Sequence, residues 1–253
     1  VEVILDETLK ATKARSVSAI VLDPATGEVL SLANAPSFNP NIRPKVLDEA
    51  RRNRAITDAY EPGSVFKLVA YAGAIEEGLV RPEDQINCQG GTIAIGKHVF
   101  HDSHLGMQTV TVETAFGKSS NVGAIKIAQK LGEERFYQWI TRFGFGAKAG
   151  LDLPGEVRGF LRPTSNWHND SIGSLAIGQE ISVTALQTLM AYATVANRGE
   201  WVKPHVVKQI KSADGQVLAE TQLEKKRVLS ERTADQMAVM MRFVVDEGTG
   251  KAA

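Results

Sequence analysis

Glu61-Pro62-Gly63-Ser64-Val65-Phe66-Lys67 is the stretch on which the reading of this chain turns. Pro62-Gly63 interrupts whatever precedes it, and the apolar run that follows predicts a helix from Ser64 to Glu77, with Gly78 where a C-terminal glycine belongs. On such a helix Ser64 and Lys67 lie three residues apart and share a face, so the ammonium can approach the hydroxyl. A serine hydroxyl is a weak nucleophile until a neighbouring base takes its proton. A lysine can be that base only where burial or nearby positive charge lowers its pKa toward neutrality. The helix N-terminus adds a partial positive field and free N–H groups near the attacking oxygen. Ser-x-x-Lys alone is a weak signal, because many helices carry such a pair by chance.

A second segment, Lys118-Ser119-Ser120-Asn121, precedes another apolar helical pattern. Serine and asparagine are preferred helix caps, and capping accounts for one of these residues. The functional reading puts Ser119 and Asn121 on one side of an extended turn, facing Ser64 and Lys67. Ser119 would then relay a proton to a departing amine, and Asn121 would hold Lys67 and bind the substrate backbone.

Around these segments the pattern is mixed α and β. Ile4 to Arg15 reads as a short helix capped by Asp6. Val17 to Leu22 and Val29 to Ala33 flank a Pro-and-Gly turn, a hairpin signal, and Asn34 to Pro44 is a proline-broken loop. Val46 to Tyr60 is helical in pattern, and residues 85–112 read as short strands around Gly90, Gly91 and Gly96. Helices are expected at Val122 to Leu131, Glu133 to Phe143 and Val183 to Ala196. Val202 to Lys211 and Gln216 to Glu220 form a second hairpin, and Ser230 caps a last helix ending near Glu247. The order suggests one antiparallel sheet covered by helices.

Composition narrows the functional classes. The 253 residues carry 29 Lys plus Arg against 29 Asp plus Glu, which gives no electrostatic reason to bind nucleic acid or an anionic membrane surface. A single cysteine, Cys88, excludes a disulfide within the chain and any Cys-rich metal site. No apolar run approaches the roughly 18 residues of a membrane span, and Val1-Glu2-Val3-Ile4-Leu5-Asp6 does not read as a signal segment.

The run from Arg52 to Lys67, Arg-Asn-Arg-Ala-Ile-Thr-Asp-Ala-Tyr-Glu-Pro-Gly-Ser-Val-Phe-Lys, resembles the active-site segment of class B penicillin-binding proteins. Further matching segments are Leu22 to Asn34, Leu153-Pro154-Gly155-Glu156 with Gly159, and Ile177-Gly178-Gln179 followed by Val183-Thr184-Ala185-Leu186-Gln187. Ser-Ser-Asn at 119–121, in place of Ser-Cys-Asp, leans toward the septal branch. The resemblance implies an α/β fold of the penicillin-binding transpeptidase and serine β-lactamase kind, an antiparallel sheet flanked by helices plus a helical subdomain. It implies a peptidoglycan D,D-transpeptidase in which Ser64 attacks the D-Ala-D-Ala carbonyl of a stem peptide. An amine from a neighbouring stem resolves the acyl-enzyme, and β-lactams acylate Ser64 as substrate mimics. Lys67, Ser119 and Asn121 complete the implied catalytic set, with Gly63, Ser120 and Gln179 touching substrate. No metal and no cofactor is implied. The implied partners are stem peptides, β-lactam antibiotics and membrane proteins of a division complex. The implied location is the outer side of the cytoplasmic membrane, with a single-pass anchor outside this chain.

One departure bears on activity. The family's third motif, Lys-Thr-Gly or Lys-Ser-Gly on an edge strand, is not in the chain. Gly248-Thr249-Gly250-Lys251-Ala252-Ala253 resembles the segment shortly before it. The expectation is therefore a transpeptidase domain over residues 1–253, incomplete at its C-terminal strands. The missing strand would supply a cation and hydroxyl for the substrate carboxylate and also one oxyanion donor, and losing such a donor by itself costs about a hundredfold or more in rate. A serine β-lactamase is the nearest enzymatic rival, although Pro-Gly-Glu-Val-Arg-Gly at 154–159 lacks the Glu-x-x-x-Asn pattern of one major class. A β-lactam or muropeptide sensor, or a division scaffold, is the non-enzymatic one.

Other signals read as structural. Gly248 to Lys251 is not a phosphate loop, because Ala252 stands where that loop needs a hydroxyl and a helical pattern precedes it. His98, His101 and His104 step by three along a strand-like segment, which sends them to alternating faces rather than to one metal. Asp102, within that segment, matches a position the resembled family keeps acidic and is given a structural role. Cys88 reads as a buried or half-buried small residue, and Phe136, Trp139 and Phe143 as core. Trp167 follows a loop, and its reading stays open between core and cleft. Arg51, Arg52 and Arg54, like Lys225, Lys226 and Arg227, read as ion-paired or solvated faces.

Overall fold

The computed structural model describes residues 1–39, 41 and 48–251. Helix α1 (Glu2–Thr12) leads into the hairpin β1 (Val17–Leu22) and β2 (Val29–Ala35), and a short helix α2 (Arg54–Thr57) follows. A 3-10 turn at Gly63–Phe66 passes directly into α3 (Lys67–Glu76). The next segment holds β3 (Gln85–Asn87), β4 (Thr92–Ile95), β5 (His98–His101) and β6 (Thr109–Thr111), then α4 (Val112–Gly117), α5 (Asn121–Leu131) and α6 (Glu133–Arg142). After a long connection come α7 (Ser171–Ala176) and α8 (Ala185–Ala196), then β7 (Glu200–Val202), β8 (Gln209–Lys211), β9 (Val217–Glu220), β10 (Lys225–Arg227) and α9 (Glu231–Asp246).

Helix α3 is apolar on every side, and every residue from Lys67 to Ile75 is buried. A helix hydrophobic all round has to sit at the centre of a core, and α3 is packed by α5, α6 and α9. Gly73 makes the close approach to α6: a Cβ there would lie 2.6 Å from the Trp139 ring. Phe136, Ile140 and Phe143 are fully or almost fully buried in the same core, and each such side chain contributes about 1.5–3 kcal/mol by leaving water. A second cluster joins the hairpin to α2 and α8 through Ile56, Leu186 and Met190 against Ile20, Leu22, Val29 and Leu32. Leu5 of α1 packs on Ala33 and Ala35 of β2 from the other side. The molecule thus has a helical part built around α3 and a hairpin part built around β1 and β2, and the 3-10 turn at Gly63 lies where the chain passes from one to the other.

Several expectations are corrected. Asp6 does not cap α1; Leu5 N donates to Val1 O, the helix begins at Glu2, and Lys13 ends it in a left-handed conformation (φ 54°). The hairpin is as expected, with β2 extended through Ala35. The single antiparallel sheet is divided, among the described residues, into five two-stranded ladders: β1–β2, β3–β6, β4–β5, β7–β10 and β8–β9. The 85–111 strands do not join the hairpin because they are taken up by α4 and α5. Helix α2 is one turn rather than the whole of residues 46–60, and Val46 lies outside the described residues, as do Pro40 and Pro44. At the C-terminal end β8 pairs with β9 around Gly215 and Ser230 caps α9 by accepting from Thr233 N, as expected, but the expected strand from Val202 to Lys211 is divided, Glu200–Val202 pairing instead with Lys225–Arg227.

Candidate active site

The expected α-helical start at Ser64 is instead a 3-10 turn, and the difference matters for chemistry. A 3-10 turn has three residues per turn, so positions i and i+3 lie directly above one another. Ser64 and Lys67 are such a pair, with Lys67 N donating to Ser64 O. Ser64 is exposed, whereas Lys67 is only 2% exposed. Three contacts fix the turn. Phe66 packs edge-on against Phe145 with ring centroids 5.0 Å apart, and Tyr192 Oη donates to Val65 O at 3.0 Å. Gly63 N donates to Gly178 O at 3.1 Å, and Gly178 (φ +77°) lies so close that a Cβ would stand 2.2 Å from Gly63 O.

Lys67 reaches out of α3 to the turn between α4 and α5. Its ammonium donates to Ser119 O at 2.6 Å and to Ser119 Oγ at 3.0 Å. Both acceptors point one way because Ser119 adopts a left-handed conformation (φ 56°), a state that costs a non-glycine residue free energy and that only surrounding contacts maintain. Those contacts are Ser119 N to Phe116 O and Ser120 N to Ala115 O, each 2.9 Å. Asn121 was expected to hold Lys67; its Nδ2 donates instead to His101 O at 2.6 Å, and the ammonium is held by Ser119. Ser120, expected to touch substrate, is corrected to a structural role. It is 1% exposed, and its hydroxyl donates to Asp102 and accepts from Gly123 N as the cap of α5. Gln179 follows Gly178 and is exposed, next to the Gly63 contact.

Burial sets the protonation of the lysine. Removing its charge from water lowers the Lys67 pKa to about 8, with the negative charge of Asp102 acting the other way. At pH 7 about one molecule in ten then carries the neutral amine, against about one in 3,000 for an ordinary lysine. The site therefore pairs an exposed hydroxyl with a buried amine that is already partly deprotonated, and puts a second hydroxyl, Ser119 Oγ, in contact with that amine. Such an arrangement is suited to serine acyl transfer: proton removal from the nucleophile, then proton delivery to a leaving amine through Ser119.

The other residues singled out in the sequence have partners of their own. The Glu156 carboxylate is buried and accepts from three backbone amides, Ala149 N (2.5 Å), Gly150 N (3.0 Å) and Leu151 N (3.2 Å), which commits it to the loop. His98 stacks on Phe100 and lies 3.8 Å from Asp170, while His101 Nδ1 is 3.2 Å from Thr92 Oγ1. Among the described residues no group of three or more His, Cys, Asp or Glu side chains is arranged to hold a metal. Gly248 N donates to Phe243 and Val244 carbonyls and Thr249 N to Gly117 O, so this glycine segment closes α9 against α4. Cys88 is buried, and burial raises its pKa. Trp167 packs edge-on against Phe136 and Tyr137. Arg52 and Arg54 pair with Asp58, and Lys225 pairs with Glu200. Sequence reasoning gave Asp102 a structural role without finding its partners, which lie across the chain at residues 120–122.

Comparison with known proteins assigns the class. The model of the penicillin-binding protein transpeptidase domain matches residues 17–253. The chain belongs to that family, in its class B, septal-type branch. It is 39% identical over 251 residues to the penicillin-binding protein PbpB of Mycolicibacterium smegmatis, covering 96% of this chain and 39% of that protein. It is 38% identical to PbpB of Mycobacterium tuberculosis over 249 residues, covering 95% of this chain and 36% of that protein. The crystal structure of M. tuberculosis penicillin-binding protein 3 complexed with aztreonam is 36% identical and superposes with a TM-score of 0.88, over 98% of this chain and 57% of that one. The chain thus spans about two-fifths of the length of the curated relatives it matches. Among the described residues no helix is long and apolar enough to cross a membrane.

Proposed function

We propose that this protein is a peptidoglycan D,D-transpeptidase acting through an acyl-serine intermediate, and that residues 1–253 belong to its transpeptidase domain. The observation that carries the reading is the buried Lys67 amine, held on Ser119 and set one 3-10 turn from the exposed Ser64 hydroxyl. Ser64 Oγ attacks the carbonyl of the penultimate D-alanine of a stem peptide and passes its proton to Lys67. Collapse of the tetrahedral species breaks the peptide bond, and the terminal D-alanine leaves as an amine that takes a proton through Ser119. An amine of a second stem then attacks the ester, the new amide forms, and Ser64 Oγ recovers its proton. Asn121, at the mouth of the same turn, and Gln179, beside Gly63, are assigned to the substrate backbone. β-Lactams would enter the first half of this sequence and stop at the ester, consistent with the aztreonam and ampicillin complexes of the mycobacterial relative.

A β-lactamase also needs a base for the water that frees the serine. Glu156, the carboxylate in the stretch weighed for that rival, is occupied by three backbone amides, which favours the transpeptidase reading. The proposal includes a site of action on the outer face of the cytoplasmic membrane and membrane proteins of division as partners, both supported by family membership. The test is exchange chemistry: purified protein is given a stem pentapeptide ending in D-Ala-D-Ala together with a labelled D-amino acid. Release of D-alanine with incorporation of the label supports transpeptidation. Release of D-alanine with water as the sole acceptor would replace it with a carboxypeptidase, and no release would remove the enzymatic reading.

A further inference from the structure

An α-helix begins with four amide groups that have no partner inside it. At α5 three of these are met by two side chains. Asn121 N (2.6 Å) and Val122 N (3.0 Å) donate to Asp102 Oδ1, and Gly123 N (2.9 Å) donates to Ser120 Oγ. Ser120 Oγ in turn donates to Asp102 Oδ2 at 2.8 Å, so both carboxylate oxygens are engaged. Asp102 is itself 8% exposed, and its backbone is pinned by Asp102 N to Gly91 O at 2.8 Å. An anion at a helix N-terminus is favourably placed against the helix dipole, and many such residues do nothing else.

Two observations take Asp102 beyond capping. The residue immediately before this cap is Ser119, whose left-handed backbone turns both of its oxygens toward Lys67; holding residues 120–122 therefore holds Ser119. The carboxylate also lies within electrostatic reach of the buried ammonium. The titratable groups that meet its charge are Lys67 and Tyr71 on α3 and Cys88 after β3. Tyr71 is fully buried one helical turn beyond Lys67, its hydroxyl without a hydrogen-bond partner among the described residues. Asp102 is thus the anion in a buried polar cluster that includes Lys67.

We propose that Asp102 is a positioning residue for acylation of Ser64: its carboxylate locks the Ser119–Asn121 turn onto Lys67 and supplies the negative charge opposite that buried ammonium. The proposal rests on the acyl-transfer reading of the site. Asp102 touches no reacting atom, and it acts through Lys67 and Ser119.

The test compares wild type with Asp102→Asn, which keeps size and an acceptor for the α5 amides but removes the charge. The rate of acylation by a penicillin is measured from pH 6 to 10. In wild type it should rise with pH through an inflection near 8. Without the opposing anion Lys67 sheds its proton more readily, so the inflection should move down by about one pH unit while the plateau falls. A lower rate at every pH with the inflection unmoved is what capping alone would give, and it overturns the proposal. Asp102→Glu, which retains the charge, should return the inflection to its wild-type place. If Asp102→Asn does not fold, Asp102→Ser removes the charge and keeps an acceptor. A second readout is independent of acylation: an NMR titration of Lys67 with 13C at Cε, in wild type and variant. Equal midpoints overturn the proposal even if Ser64 reacts. A lowered midpoint in a protein whose Ser64 is never acylated would uphold the charge coupling and sink the acyl-transfer reading instead.

Discussion

Replacing Lys67 with methionine removes one buried ammonium at little change in volume, and its effect on stability has a predictable dependence on pH. The folded lysine has a pKa of about 8, below the ordinary value of 10.5 that it regains on unfolding. Between those values the unfolded chain binds more protons than the folded one, so stability rises with pH across that window. Below about pH 8 the full cost of burying the charge is present, and above 10.5 it is gone. At roughly 1.4 kcal/mol per pH unit the whole window is worth about 3 kcal/mol, most of it realised by pH 10. The side chain is only 2% exposed, so solvent screening does not erase this figure. The Lys67→Met variant lacks the term. Urea unfolding of both proteins at half-unit steps from pH 7 to 10 isolates it, because the other titrations cancel in the difference and equal m-values confirm that the same surface is exposed. The stability of wild type minus that of the variant should climb by about 2 to 3 kcal/mol across this range. A flat difference would mean that burial does not burden the amine, and a falling one that the fold raises its pKa. Either result refutes the assignment of Lys67 as a base primed near neutral pH.

Two glycines carry further tests. Gly178→Ala places a Cβ 2.2 Å from Gly63 O at a positive φ; it should cost about 2 kcal/mol or more and slow acylation as the turn carrying Ser64 shifts. A melting curve and an acylation rate both unchanged would contradict the role given to that contact. Gly117→Ala drives a Cβ to 2.2 Å from the Phe243 ring, where α9 packs on α4. The expected loss is about 1–3 kcal/mol, and Phe243→Leu in the same chain should restore most of it. Failure of the second change to rescue the first would place the strain elsewhere.

Local pattern made the regular elements readable. The Val17–Ala35 hairpin, α5, α6 and α9 each have a matching period and a turn or cap in the sequence, and each is found within a few residues of its expected bounds. The placement of Ser64 and Lys67 one turn apart was readable for the same reason, since three-residue spacing spans about one turn of an α-helix and a full turn of a 3-10 helix. What could not be read depends on partners distant in sequence. The left-handed Ser119 has no local signature, because a serine takes that conformation only when surrounding contacts impose it. Which residue of Ser119-Ser120-Asn121 caps α5 was decided by Asp102, whose carboxylate engages Ser120 and the amides of Asn121 and Val122. The division of the strands into separate ladders reflects which helices cover them, a tertiary outcome that alternation along a strand does not encode.

The central claim is that Ser64 is a nucleophile activated by its neighbour Lys67. Its most direct test is intact mass spectrometry after incubation with a penicillin, followed by peptide mapping, in wild type and in Ser64→Ala. The account predicts a single adduct of the full drug mass, long-lived, on the peptide that contains Ser64, and none in the variant. An unmodified wild-type protein, or an adduct that survives Ser64→Ala, would contradict it.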